Sequence, residues 1–279
     1  MTAQLTLAGM GVAILALVVG VAVWLRRRYR VRWTTWLWGA LAFVLSQLLR
    51  LPLLAGAGPA ASALGVSVTA AVAGVALVTS GLCEEGSRWI VLRFGARRER
   101  ERADGLMFGA GHGGIEALIV FGVSIVGGLV LLASGDAMLE QARQTTPDQV
   151  DALTAQLEAV RTLTPGTALV GIWERVPAMV FHIAASLAVL RAVRERRLGW
   201  LWFAMAAHIG FNAAAVGTLQ LSQNVLLTEA VVTALGALFL WGILRGWGAP
   251  RHFADRPDAA AHAPAAGTDG ADGADGAAR

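Results

Sequence analysis

The chain has 279 residues, of which 56% are hydrophobic and only 15% charged, with a mean hydropathy of +0.59. Soluble domains run at about 45–50% apolar and about 25% charged, so a soluble globular enzyme is excluded. All 23 basic residues are arginine, and the formal net charge is +4.

Apolar runs near the roughly 20 residues needed to cross a bilayer occur at 4–25, 34–54, 63–92, 105–133, 167–190, 199–220 and 226–247. They predict an all-α polytopic membrane protein of about seven transmembrane helices, the third long enough to be tilted or broken. Residues 1–25 do not read as a cleavable signal. They lack a basic start, and an arginine cluster follows. Arginines crowd the segments after the first, third and fifth spans: Arg26 to Arg32, Arg93 to Arg102, and Arg191 to Arg197. Segments 55–62 and 221–225 carry no charge, and 134–166 sets Arg143 and Arg161 against five acids. The positive-inside rule then puts the N-terminus outside and the C-terminus in the cytoplasm. The high isoelectric point is a topological signal, so the partner is the lipid bilayer and no nucleic acid is expected. The single cysteine, Cys83, excludes an internal disulfide.

These features divide the chain into a bundle at 1–249 and a tail at 250–279. The tail is rich in Ala, Gly, Pro and Asp, which predicts a disordered cytoplasmic segment, and His252 and His262 within it carry no expected role. Segment 134–166 is expected to hold an outer amphipathic helix. Thr146 would cap it, with Pro147 at the first helical position, Gln149 completing a capping box, and Val150, Leu153, Leu157 and Val160 on one face.

Ionisable residues inside spans are functional candidates because a charge in the bilayer costs about 2.5–3.5 kcal/mol even on lenient scales. Glu84 lies nine residues from Arg93, His182 nine from Arg191, His208 eleven from Arg197, and His112 eight from Asp104. At 1.5 Å per residue these groups share one layer roughly 12–17 Å from the arginine-rich edge. Glu84 and Arg88, His112 and Glu116, and His208 and Asn212 are each spaced i, i+4, so each pair shares a helix face. Glu85 is i, i+3 to Arg88, which can neutralise only part of the charge.

Two chemistries suit this layer. His112, His182 and His208 would hold a divalent metal, zinc by preference, and lower the pKa of a bound water to about 7. Alternatively a glutamate deprotonates water without metal, a histidine shares that water, and a His–Asn pair stabilises the oxyanion. Both amount to hydrolysis inside the membrane. No serine elbow, P-loop or HExxH motif occurs. Other residues read as structural. Gly105, Gly109, Gly113 and Gly114 suit a close-packing face, Pro177 suits a kink, and Arg50 with Glu174 and Arg175 suits an interhelical ion pair.

"EEGSR" at 84–88, "FGAGHGGIEA" at 108–117 and "HIGFN" at 208–212 resemble the YhfC family of intramembrane metalloproteases. That family resembles in turn the superfamily of CAAX prenyl proteases and bacteriocin-processing enzymes. The Phe108–His112 and His208–Asn212 motifs match the superfamily pattern, whereas Arg88 follows Glu85 by three residues, a spacing similar to the PrsW-like branch. The resemblance covers roughly 75–215. It implies an endopeptidase of the bacterial cytoplasmic membrane acting on a membrane-embedded or membrane-delivered peptide. It further implies that Glu84 is the general base with Glu85 beside it, and that His112 shares the water or binds metal. His208 with Asn212 would stabilise the oxyanion or complete the metal shell, supported by Arg88 and Glu116. The competing expectations are a proton-coupled transporter that uses the same layer as a relay, and a non-catalytic scaffold of the same fold.

Overall fold

The computed structural model describes residues 2–246, so the boundary at 249 and the tail at 250–279 lie outside the described residues. Eight α-helices follow in chain order: α1 Thr2–Tyr29, α2 Trp33–Ala63, α3 Val68–Ile90, α4 Arg102–Thr145, α5 Val150–Arg161, α6 Pro165–Glu195, α7 Gly199–Ser222 and α8 Val225–Leu244. There is no strand among the described residues. Seven helices are long and apolar enough to span a membrane, all but α5, with α3 continuing through a π-helical turn at Val91–Gly95. Every predicted span therefore falls on a helix.

Three elements differ from the sequence expectation. Segment 55–62, expected as a loop, is the last part of α2, which runs through Pro52 and Pro59 and packs Gly58 beside Val68 of α3. Its small residues suit a close helical hairpin with α3. Helix α4 continues to Thr145, which at 1.5 Å per residue makes it about 66 Å long. The amphipathic helix is thus only 150–161. It docks on the end of α4 by burying Leu157 against Gly135. The expected cap also differs: Thr146 makes no side-chain cap, and Pro147–Gln149 form a short 3-10 turn instead.

Glycines set the depth of packing around the centre. A Cβ on Gly39 of α2 would collide with the Phe108 carbonyl of α4, and one on Gly111 of α4 with the Trp36 carbonyl of α2. Gly109 and Gly113 face α6 instead, with a Cβ on Gly109 only 2.5 Å from the Ile183 Cα. Gly114 looks toward Val18 and Trp36. The run 105–114 is therefore two packing faces rather than the single one expected. Gly81 brings α3 against Met205 and Ile209 of α7, and Gly236 of α8 sits on Pro177 of α6. Small residues let helix backbones approach where no hydrophobic drive exists between helices in lipid.

The ends of the bundle are unlike. At the arginine-rich end, Leu92, Phe108, Val189, Leu190, Leu201 and Ala204 form a buried apolar cluster. Arg100 is tied there to the Leu92 and Ala96 carbonyls, and Arg191 stacks over Trp200 at 4.1 Å.

Candidate active site

Four helices bring their ionisable residues together, in agreement with their shared depth in the sequence. Glu84, Glu85 and Arg88 come from α3, His112 and Glu116 from α4, His182 from α6 and His208 from α7. Glu85, Arg88 and His112 are fully buried, while Glu84, His182 and His208 are each no more than 4% exposed. The His112 and His182 rings lie 5.4 Å apart and the His182 and His208 rings 5.5 Å apart, between centroids. Phe43 closes over His112 edge-on, and Phe181 abuts both His182 and His208.

The adjacent glutamates have separate partners. Glu85 Oε1 accepts from Arg88 Nη1 at 2.5 Å and pairs with His208 Nδ1 at 2.7 Å. Glu84 Oε2 instead faces His112 Nε2 at 3.2 Å, and His208 Nε2 and Arg88 Nη2 at 3.9 Å each. The spacing predicts that Arg88 pairs with Glu84 along one helix face, and that pair is present at 3.9 Å, but the closer contact of Nη1 is to Glu85. The second arm of Arg88 crosses to α6 and lies 2.6 Å from His182 Nδ1. A guanidinium only donates, so Nδ1 is the acceptor and the proton of a neutral His182 ring lies on Nε2. That Nε2 is 2.5 Å from Glu116 Oε2.

Not every candidate joins the cluster. Asn212, expected beside His208, donates from Nδ2 to Ser80 Oγ of α3 at 2.9 Å. Arg50 donates to the Ala76 carbonyl rather than to Glu174. Arg175 pairs with Glu174, its chain neighbour, and reaches Glu116 Oε1 at 3.9 Å. Ser80 is missing from the sequence expectation, although its position one turn before Glu84 is a signal that could have found it.

The metal-ligand geometry also departs from the expected three histidines. Glu84, His112, Glu116 and His182 each offer a ligand atom, all within 4.8 Å of one another. His208 stands outside that group, engaged with Glu85. Two imidazoles and two carboxylates are a donor set that suits zinc or a similar divalent ion. Two further observations fit a cation. Glu116 Oε2, although close to His182 Nε2, and His112 Nδ1 are both buried without an aligned hydrogen-bond partner. Moreover, three carboxylates (Glu84, Glu85 and Glu116) face two guanidiniums, Arg88 and Arg175, and the latter is shared with Glu174. The centre thus carries an excess of negative charge that a cation or a proton would balance.

No solved structure matches the chain. The uncharacterized membrane protein YhfC of Bacillus subtilis (strain 168) is 31% identical over 238 residues, covering 81% of this chain and 90% of that protein. Residues 13–235 match the YhfC intramembrane metalloprotease family. That match runs from within α1 through α7 and into α8, and takes in every residue of the buried cluster. This chain is an integral membrane protein and belongs to the YhfC intramembrane metalloprotease family.

Proposed function

We propose that the buried cluster is the active centre of an intramembrane endopeptidase that hydrolyses peptide bonds with an activated water. The observation that carries this reading is the division of labour between the two glutamates. Glu85 is held by Arg88 and His208, whereas Glu84 turns its Oε2 toward His112, His208 and Arg88 at 3.2–3.9 Å. A water placed among them would give its proton to Glu84 as general base while His112 shares it. His208 donates from Nδ1 to Glu85 and keeps Nε2 directed into the same space. In its imidazolium form, with Nε2 also protonated, it would donate to the oxyanion, while the proton that Glu84 takes from the water passes to the leaving amine. Glu85, itself held by Arg88, orients the ring and balances its charge, which makes both positioning residues. Asn212 would act through Ser80 at the rim of α3 and α7.

A divalent cation, if bound, would be held by His112, Glu116 and His182 with Glu84 beside it, and would supply Lewis-acid polarisation of the water or carbonyl. With Nδ1 accepting from Arg88, Nε2 of a neutral His182 carries the ring proton, so ligation through Nε2 would require the Arg88 contact to give way and the proton to sit on Nδ1. The substrate is a membrane-embedded or membrane-delivered peptide, and the N-terminus lies outside, as the arginine distribution indicates.

The test is a reconstituted enzyme offered a quenched peptide library. Glu84→Gln should lower cleavage by about 10²–10⁴-fold, the usual contribution of general-base catalysis. Purified protein should carry close to one zinc per chain, and Glu116→Gln should lower that occupancy. Cleavage that survives Glu84→Gln would overturn the assignment of the base. Full activity in zinc-free protein would leave the glutamate–histidine route alone. The chain of ionisable groups from Glu84 to Glu174 also suits a proton relay. Absence of cleavage together with pH-driven solute flux would favour the transporter.

A further inference from the structure

The buried cluster has two sides, and they are built from different residues. Toward the arginine-poor end, each helix that carries a cluster residue adds a polar group. Ser80 stands one turn before Glu84, Glu116 one turn after His112, Asn212 one turn after His208, and Arg175 two turns before His182. Toward the arginine-rich end the corresponding neighbours are Phe108 before His112 and Ala204 before His208, both buried in the apolar cluster with Leu92, Val189 and Leu190. Ser186, one turn after His182, and Arg88, one turn after Glu84, are polar on that side, and both are fully buried.

Exposure follows the same direction. The Arg88 and His112 side chains are 0% exposed, Glu116 is 19% exposed and Glu174 is 44% exposed. The groups are contiguous: His182 Nε2 to Glu116 at 2.5 Å, Glu116 to Arg175 at 3.9 Å, and Arg175 to Glu174. Glu229 of α8 lies close enough to sense both Glu174 and Arg175, and its Oε2 is buried without a hydrogen-bond partner. Partly exposed carboxylates and a guanidinium at this depth would carry a large desolvation penalty facing hydrocarbon, which argues for an aqueous space beside them.

We propose that the buried centre exchanges water with the arginine-poor side of the membrane, along the line of Glu116, Arg175 and Glu174 between α4 and α6. The arginine-rich side is closed by the Phe108–Leu190 cluster. This rests on packing and charge alone and holds whether or not the centre cleaves peptides. Where it does, water reaches Glu84 from the side opposite the arginine loops.

Ala178 tests the path, because it is half-buried on α6 between Arg175 and His182, one turn from each. In a Cys83→Ala background, Ala178→Cys is treated in sealed, oriented membranes with a charged, impermeant methanethiosulfonate added to one face at a time. Ala155→Cys on α5 marks the arginine-poor face and Arg98→Cys the opposite one, both positions being exposed. Ala178→Cys should react only from the face that labels Ala155→Cys. Reaction from the Arg98→Cys face, or protection from both faces while the markers react, overturns the proposal. If Ala178→Cys does not fold, the unmodified chain serves. Carbodiimide coupling of a charged amine, read by mass spectrometry, should modify Glu116 from the arginine-poor face only, and modification from the other face or from neither refutes the path.

Discussion

The core of α3, α4, α6 and α7 and the α4–α5 hairpin beyond it hold together in opposite ways. In the core, backbones approach through Gly81 and Gly109, and Glu85, Arg88 and His208 pair with one another while buried. In the hairpin, α5 is fastened by one fully buried side chain, Leu157 on Gly135, and by ion pairs in contact with water. Inside the membrane a group has only its protein partners, so a misplaced one is expensive. Outside, water substitutes for almost any partner, and most positions tolerate change.

That contrast is best broken at Arg88. Arg88→Met removes the cation between Glu85, Glu84 and His182, and should destabilise the bundle by about 3–5 kcal/mol, the usual result of orphaning a buried charge. Thermal unfolding in detergent measures this, and a loss no larger than that of a surface arginine would mean that the Arg88–Glu85 pair does not hold the core together. Gly111→Leu comes next. Its side chain would have to displace the Trp36 carbonyl of α2, so a loss of about 3 kcal/mol is expected, the upper end of ordinary overpacking. The same assay reports it, and an unchanged midpoint would show that α2 and α4 are free to separate.

The hairpin sets the lower end of the scale. Leu157→Ala should loosen α5 by about 2 kcal/mol, as for a buried leucine whose site partly collapses. It should appear as faster limited proteolysis at 146–149 with the bundle's thermal midpoint unchanged, and a shifted midpoint would mean that the hairpin braces the core. Arg161→Gln gives up the 2.6 Å pair with Asp136, whose side chain is 79% exposed. Surface ion pairs contribute about 0–1 kcal/mol, so proteolysis should scarcely change. A large effect there would remove the distinction between the two regions.

Much of the core is legible in the amino-acid sequence. The spans follow from hydrophobic length, and counting from the arginines places Glu84, His112, His182 and His208 in one layer. The i, i+4 spacing puts Glu116 beside His112, on the face where it meets His182. Other features are out of its reach. Nothing in "EEGSR" says that Arg88 sits closer to Glu85 than to Glu84 and bridges to α6, or that Asn212 turns to Ser80. The glycines of 105–114 read as one face because nothing in their spacing shows that their partners are on three other helices, α1, α2 and α6. The end of α4 is misjudged because its outer residues are polar, and polar residues are as helical as apolar ones once α5 packs against them.

What the chain determines by itself is position along the membrane normal, because rise per residue and the arginine-marked edges are local properties of each helix. Which carboxylate meets which imidazole is left to tertiary structure. It depends on the rotation of each helix about its own axis and on how closely neighbours approach. Those two quantities are set by contacts between distant segments, such as Gly109 on Ile183 and Gly81 on Met205.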